Sequence, residues 1–570
     1  TLCKNWKGFS IFSSLALKMH KFFLYTALFF SSFAFGQFLT CDSIWTLPMK
    51  SPVELSAGFG DLRPNHFHMG IDIRTAGREN LPIYAVQDGY ITRMKVSSVG
   101  YGWVLYVAHP NGYTSVYAHC NKFAPKIQSF YLDTSAAGQS NEIDLILPQN
   151  RMPVKKGELL AYSGNTGGSS GPHLHFELRD SETEHALNPL LHGFHVKDSG
   201  QPSLKGIRLY ALDSNGYEVA NKNYMVTLTK LQHKAVLPPG FLSEGQRLGL
   251  ALQVEDYFTN GGRSLGLFSA EVWTEKGGHF AFELDEIDFN DARYINTHLD
   301  FAYAKTSQKK FQKLFKTAHN PLTIYPYDGT GAFIFNAKDS LACSIILRDV
   351  NGNETQHQLI VYHPGPKGVS ALTYTEDSHW LPTKAYVYEV GAWQIRIDSF
   401  TFFEPVRKIF DLKLKKLGTS QMQLSKPVML SYEFTDSVFS KSYFITMNGA
   451  ALTTSNSAGK LVAYSKTLGT FGLQKDEVPP TIQHQSNNKI DSLNNGKWSW
   501  RVVDNFSGVA SYSCWQNGKW IPAYFDAKSK LIKAQFQVPF GAGTVLEIRV
   551  KDAAGNERVL QSSTPLAPFR

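Results

Sequence analysis

Short apolar runs broken by glycine turns dominate the first third of the chain. Ile83-Tyr84-Ala85-Val86 leads into the turn Asp88-Gly89, and Trp103 to Ala108 reads as a strand. Asn111-Gly112 is a hairpin turn, and Tyr113 to Ala118 is the returning strand. His173 to Leu178 reads as another strand. No segment between residues 50 and 195 shows a long 3.6-residue period. The pattern therefore predicts a mostly antiparallel β region there.

Beyond residue 200 the texture changes but stays β. Val254-Glu255-Asp256 enters a loop ending at Gly261, and Leu347 to Glu354 is a strand running into the tight turn Asp349-Val350-Asn351-Gly352-Asn353. The far end repeats this plan: Val502-Val503-Asp504 enters a loop ending at Gly508, and Val550 to Glu557 closes a strand through Asp552-Ala553-Ala554-Gly555-Asn556. Asp, Asn and Gly suit such turns on their own account. Both pairs also resemble the turns of bacterial immunoglobulin-like sandwich domains. Residues 366–475 form a further β segment without a legible motif, and Pro479-Pro480 marks a linker. The expected organisation is an all-β chain. It comprises an upstream and signal segment 1–36, an antiparallel domain 37–199, an immunoglobulin-like sandwich 200–365, a β domain 366–475 and a second immunoglobulin-like sandwich 476–570.

Composition narrows the class. The 570 residues are 43% hydrophobic and 18% charged, which excludes a disordered chain. Abundant aromatics, 45 Gly and 26 Pro fit many strands separated by turns. No glycine period or heptad run supports a collagen-like or coiled-coil chain. The net charge is +9. Four of the lysines (Lys4, Lys7, Lys18, Lys21) fall in the first 36 residues, where there is no acid. With no Lys/Arg run and no RNA-binding signature, nucleic acid is not an expected partner.

Met19-His20-Lys21, the apolar stretch Phe22 to Phe35 and the small-residue end near Gly36 have the form of a secretory signal peptide. The stretch is shorter than the ~20 apolar residues of a membrane anchor. Export to the periplasm or cell envelope, or to the outer surface, is the expectation, with no transmembrane span in the mature chain. Cys41, Cys120, Cys343 and Cys514 lie far apart and lack CxxC spacing. They read as buried or unpaired thiols rather than as a disulfide framework or cysteine zinc site. A Cys41–Cys120 bridge is an alternative in an oxidising compartment.

Candidate chemistry concentrates in three clusters: His66-Phe67-His68-Met69-Gly70-Ile71-Asp72, Tyr117-Ala118-His119, and Gly171-Pro172-His173-Leu174-His175-Phe176-Glu177. Residues two apart on a strand share a face, so His173 and His175 project side by side. His68 and Asp72 also share a face if that segment is extended. Two neutral imidazoles and one carboxylate satisfy a catalytic zinc, which takes three protein ligands at about 2.0–2.2 Å and keeps a fourth position for water. Such an ion lowers the pKa of its water toward about 7. Four histidines exceed the ligand requirement, leaving imidazoles to act as base or to stabilise an oxyanion. The His-x-His pair comes last and Arg179 stands where a cupin needs a glutamate, so a cupin fits poorly.

His68-Met69-Gly70-Ile71-Asp72, Tyr117-Ala118-His119 and the run from Gly164 to Leu178 resemble the lysostaphin-type (LytM-like) zinc metallopeptidases in order, spacing and glycine-rich approach. The resemblance covers about residues 50–195. It implies a LytM-like antiparallel fold with one Zn2+ per chain held by His68, Asp72 and His175. It also implies that His119 and His173 are the unmetallated catalytic histidines. His66 lies six residues before Asp72, against four in the family, which favours His68 as the ligand. His109, before Pro110, reads as structural, and Glu177 as a partner that could orient His175. The activity implied is endopeptidase cleavage of peptidoglycan peptides. The alternative is a non-catalytic scaffold of the same fold that regulates a separate amidase. The polar run Asp133 to Glu142 is expected as a surface loop or groove lid. The β domains after 200 are expected to be spacers or to bind the wall or an envelope protein.

Overall fold

The computed structural model describes residues 44–50, 54–194, 198–230, 232–257, 264–334, 336–365, 374–434, 442–457, 459–484, 497–535 and 544–562. The signal segment 1–36 and Cys41 lie outside the described residues. Cys120, Cys343 and Cys514 are buried free thiols.

The N-terminal domain is built from β1 (Leu55–Ala57), β2 (Leu62–Arg63), β3 (His66–Phe67), β4 (Ile71–Arg74), β5 (Pro82–Tyr84), β6 (Gly89–Val96), β7 (Trp103–Ala108), β8 (Tyr113–Cys120) and β9 (Lys122–Phe123). These are followed by α1 (Pro125–Gly138), β10 (Ile143–Ile146), β11 (Pro153–Val154), β12 (Leu159–Tyr162), β13 (His173–Asp180) and β14 (Ala186–Leu187). The main antiparallel sheet runs β1-β4-β13-β8-β7-β6-β10, and β5-β12-β9 form a small second sheet. The antiparallel expectation holds, and its central strand shows why. Leu174 and Phe176 of β13 are fully buried in the domain core, while the alternate residues His175, Glu177 and Arg179 line the opposite face. On β4 the same alternation sends Ile71 and Ile73 to that core and leaves Asp72 opposite His175 in register.

Two local expectations are corrected. The polar run Asp133–Glu142 is not a loop throughout: its first part completes α1 and only residues 139–142 form a turn. Pro125 opens that helix, where a missing N–H costs nothing, and Gln139 closes it in the left-handed region at φ 46°. Ile127, Tyr131 and Ser135 form its buried stripe, and the Tyr131 ring packs 4.8 Å from Trp103. His68 and Asp72, in turn, do not share one strand. The chain leaves β3 at Phe67 and re-enters a strand at Ile71. At the turn between them, a side chain on Gly70 would lie 2.3 Å from the Phe176 carbonyl. Only glycine lets this backbone press against β13.

After the first domain come three double-layered β units. In the first, Ser203–Leu212 and Arg247–Tyr257 anchor one sheet, and Ser269–Thr274, His279–Glu283, Asp339–Arg348 and Glu354–His363 belong to the other. Residues 374–475 form two five-stranded sheets around Trp380, Ile395 and Leu430. The last unit has two four-stranded sheets around Trp500, Cys514 and Ile548.

Counting the N-terminal domain as the first unit and residues 203–363 as the second, these two are not separate bodies. Phe59, Phe67 and Met69 of the N-terminal domain pack into the core of the second, among Ile207, Leu250 and Phe282. Strand β14 also pairs with Glu286–Ile287.

Candidate metal centre

Backbone carbonyls set the histidine tautomers. His68 Nδ1 lies 2.6 Å from the Gly58 carbonyl, which can only accept, so the N–H is on Nδ1 and Nε2 presents a lone pair. His175 Nε2 donates to Glu177 Oε1 at 2.9 Å, which leaves Nδ1 as its lone pair. His68 Nε2, His175 Nδ1 and Asp72 Oδ1 lie 3.0 Å from one another. Three electron-rich atoms at that spacing repel unless a cation joins them. For ligands about 2.0 Å from a tetrahedral centre, the edge is about 3.3 Å. The residues therefore fit a small divalent ion with nitrogen and oxygen preference.

Without such an ion the cluster retains a proton. Burial opposes charge on His175, but Asp72 and Glu177 outweigh it and push the imidazole up to about 9. Burial likewise opposes ionisation of Asp72. Hydrogen bonds from His173, His175 and His68 overcome it and hold the carboxyl far below the usual range. Arg63 Nη2 sits 3.4 Å from Asp72 Oδ2, so the guanidinium and the ligand set take different carboxylate oxygens.

Glu177 is the support behind His175, as its place on the strand suggested. It is fully buried, and two guanidinium nitrogens of Arg179 donate to its Oε2 at 2.8 and 2.6 Å. The Tyr101 hydroxyl donates to Oε1. Burial works against the charge on Glu177, but Arg179 and His175 hold its carboxyl down at about 2. Arg179 in turn stacks 4.2 Å from the Phe289 ring of the second unit. No motif in the sequence marks Arg63, Tyr101 or Arg179 as part of the site. Arg179 alone carried a signal, as the next same-face position after Glu177.

The remaining two histidines flank the triad. A bulge in β8 shifts the pairing between Trp103–Leu105 and Tyr117–Cys120 and puts His119 at φ 60°, a left-handed conformation uncommon outside glycine. His119 Nδ1 donates to the Thr166 carbonyl at 2.8 Å, so Nε2 is its acceptor. Burial lowers its pKa to about 3, with help from His175 and His173, so the ring is neutral at pH 7. His173 Nδ1 is 2.8 Å from the Gly171 carbonyl, and its Nε2 is 3.4 Å from Asp72 Oδ1. The His119 and His173 rings are 4.9 Å apart. The side chains of His173 (15%) and Arg63 (39%) are more exposed than those of the ligand triad and mark the open side.

His66 stays outside the cluster, exposed, with Nδ1 3.0 Å from the Pro64 carbonyl. His109 is held between the Asp88 carbonyl and the Ser115 hydroxyl, a structural role.

Residues 66–130 and 142–189 match the sequence profile of peptidase family M23. A metalloprotease of Haemophilus influenzae, itself uncharacterised, is 34% identical over 131 residues, which are 23% of this chain and 21% of that protein. The DD-carboxypeptidase/endopeptidase Mpg of Neisseria meningitidis serogroup B is 34% identical over 112 residues, 20% of each. The chain thus spans about a fifth of the length of these curated relatives. Among solved structures, the catalytic domain of lysostaphin from Staphylococcus simulans is 21% identical, covering 25% of this chain and 92% of that one, with a TM-score of 0.19. No helix among the described residues is long and apolar enough to cross a membrane.

Proposed function

We propose that this chain, whose residues 66–130 and 142–189 match peptidase family M23, is an exported zinc metalloendopeptidase that hydrolyses peptide bonds of peptidoglycan stems or cross-links. The observation that carries this reading is the triangle of His68 Nε2, Asp72 Oδ1 and His175 Nδ1, with two further histidines on its open side. Its substrate class rests on the resemblance of the motifs and on the name of the Neisseria relative.

Zinc held there would supply a water acidified to about pKa 7 and a Lewis acid for the scissile carbonyl. The protein's own groups do the rest. Gly58 and Glu177 keep His68 and His175 in the tautomers that aim lone pairs at one point. Arg63 occupies the outer oxygen of Asp72. His119 has an acceptor nitrogen, Nε2, beside the cluster and takes a proton there as general base. His173, the most exposed of the four clustered histidines, stabilises charge on the substrate or protonates the leaving amine. The β units after residue 200, proposed as immunoglobulin-like modules, serve as spacers or bind the wall or an envelope partner.

The test is muropeptide mass spectrometry on walls digested by purified protein of measured metal content. One zinc per chain and new peptide termini that disappear with chelator are expected. A zinc-loaded protein that releases nothing would overturn the reading. A metal-free protein that stimulates a separate amidase would establish the scaffold alternative instead.

A further inference from the structure

The loop 164–171 between β12 and β13 touches both histidines that stand outside the triad. Its Thr166 carbonyl holds His119, and its Ser169 hydroxyl lies 3.1 Å from His173 Nδ1. The loop has four glycines (Gly164, Gly167, Gly168, Gly171) and so has few side chains with which to fix itself. Gly167 adopts φ 67° with the Gly100 carbonyl 2.3 Å from where a Cβ would stand, so a larger residue cannot stiffen that point.

The polar groups this loop turns outward are taken by the last β unit, more than 350 residues away. Gly167 N–H donates to the Tyr524 hydroxyl at 3.0 Å. Lys528 Nζ donates to the Asn165 carbonyl, to Asn165 Oδ1 at 3.2 Å and to the Ser169 carbonyl at 2.9 Å. The Tyr524 ring also meets Trp103 at 6.3 Å, and Trp103 N–H donates to Thr166 Oγ1 at 3.0 Å. Behind this contact, buried Asn141 clasps the same unit: its amide donates to the Tyr512 carbonyl and accepts from Ala523 N–H, both at 2.8 Å. The docking is thus anchored on the segment after α1 and ends on the backbone of the loop that contacts His119 and His173.

We infer that the last β unit is a built-in brace for the reaction, with Tyr524 and Lys528 as positioning residues that set His119 and His173 through the loop 164–171. This rests on the peptidase reading above. Neither residue touches the triad. Their loss should therefore leave metal binding intact and misplace only the two histidines that handle protons and charge.

The experiment uses the full chain and the variants Tyr524→Phe, Lys528→Ala, Lys528→Arg and the double variant Tyr524→Phe/Lys528→Ala. Hydrogen exchange of the peptide spanning 164–171 is read by mass spectrometry, together with zinc content and kcat and KM on a soluble muropeptide. In the double variant we expect exchange in that loop to speed up about tenfold or more, kcat to fall about 10- to 100-fold, KM to stay within about threefold and zinc to remain at one per chain. Lys528→Arg should keep most of the rate, because it retains a cation for the carbonyls. Unchanged loop exchange, or a rise in kcat that would mark a latch rather than a brace, overturns the inference. A wild type that turns nothing over sinks the peptidase reading and the positioning role with it. The exchange measurement still decides separately whether the brace exists.

Discussion

The two sides of the histidine cluster are held by opposite means. On the ligand side, the β2–β3 hairpin that delivers His68 is sunk into an apolar core shared with the second unit: Phe67 is fully buried there beside Met69 and Phe59. On the other side, the loop beneath His119 and His173 is held by polar contacts, many from backbone groups, and its support comes from the last unit. Apolar burial is insensitive to small displacements, whereas hydrogen bonds fade within a few tenths of an ångström. A metal site needs ligands that stay put, while proton-transferring side chains need only reach the right place during turnover. The architecture divides along that line.

The sharpest way to break the comparison is His175→Ala. It should abolish both metal uptake, read by elemental analysis, and muropeptide release, because the triangle loses a corner. Phe67→Ala attacks the same side through packing. A cost of about 3–5 kcal/mol in stability is expected for a fully buried aromatic, measured by urea unfolding, with weaker metal retention because His68 loses its platform. His119→Ala should separate the two sides. Zinc content is retained while kcat falls by on the order of 100-fold. Equal metal loss in His119→Ala and His175→Ala would show that the division of roles is wrong.

Two milder tests sharpen the picture. Glu177→Gln keeps an acceptor for His175 but removes the charge that pairs with Arg179. Metal affinity should drop about 10- to 100-fold in chelator competition, with no change at the loop. Between about pH 4.5 and 6.5 the pH dependence has a share from buried neutral histidines. His119 is held at about 3 and His298, in the second unit, at about 4. Both values are below that of an unfolded histidine, near 6.5, so the unfolded state binds the extra proton in between. Their contribution is complete above about pH 6.5 and is lost on acidification, at about 1.4 kcal/mol per pH unit for each ring down to its folded value. Urea titrations of metal-free protein should show this slope, and His298→Gln should remove one ring's share.

The groups in the candidate site were largely legible in the chain. His173 and His175 share a face because strands alternate, and the resemblance of the motifs to the lysostaphin-type peptidases put His68 and Asp72 at the cluster even though the path between them bends at Gly70. Helix α1 was not legible. Its buried stripe consists of one isoleucine, one tyrosine and a serine, too weakly apolar to show a helical period, and the acids and amides after it read as loop.

Residue identity alone determined which side chains bear the chemistry: the imidazoles, the carboxylates and the glycines that let backbone approach them. Tertiary structure alone decided which nitrogen of each histidine faces the centre. For His68 and His119 those choices are made by the carbonyls of Gly58 and Thr166, and a carbonyl is the same in every residue and leaves no mark in a sequence; for His175 the choice is made by Glu177, which the sequence did show. It alone also brought Phe67 into a foreign core and Tyr524 onto a loop 357 positions away. Such contacts depend on where the chain returns in space, and no local pattern of polar and apolar residues encodes that.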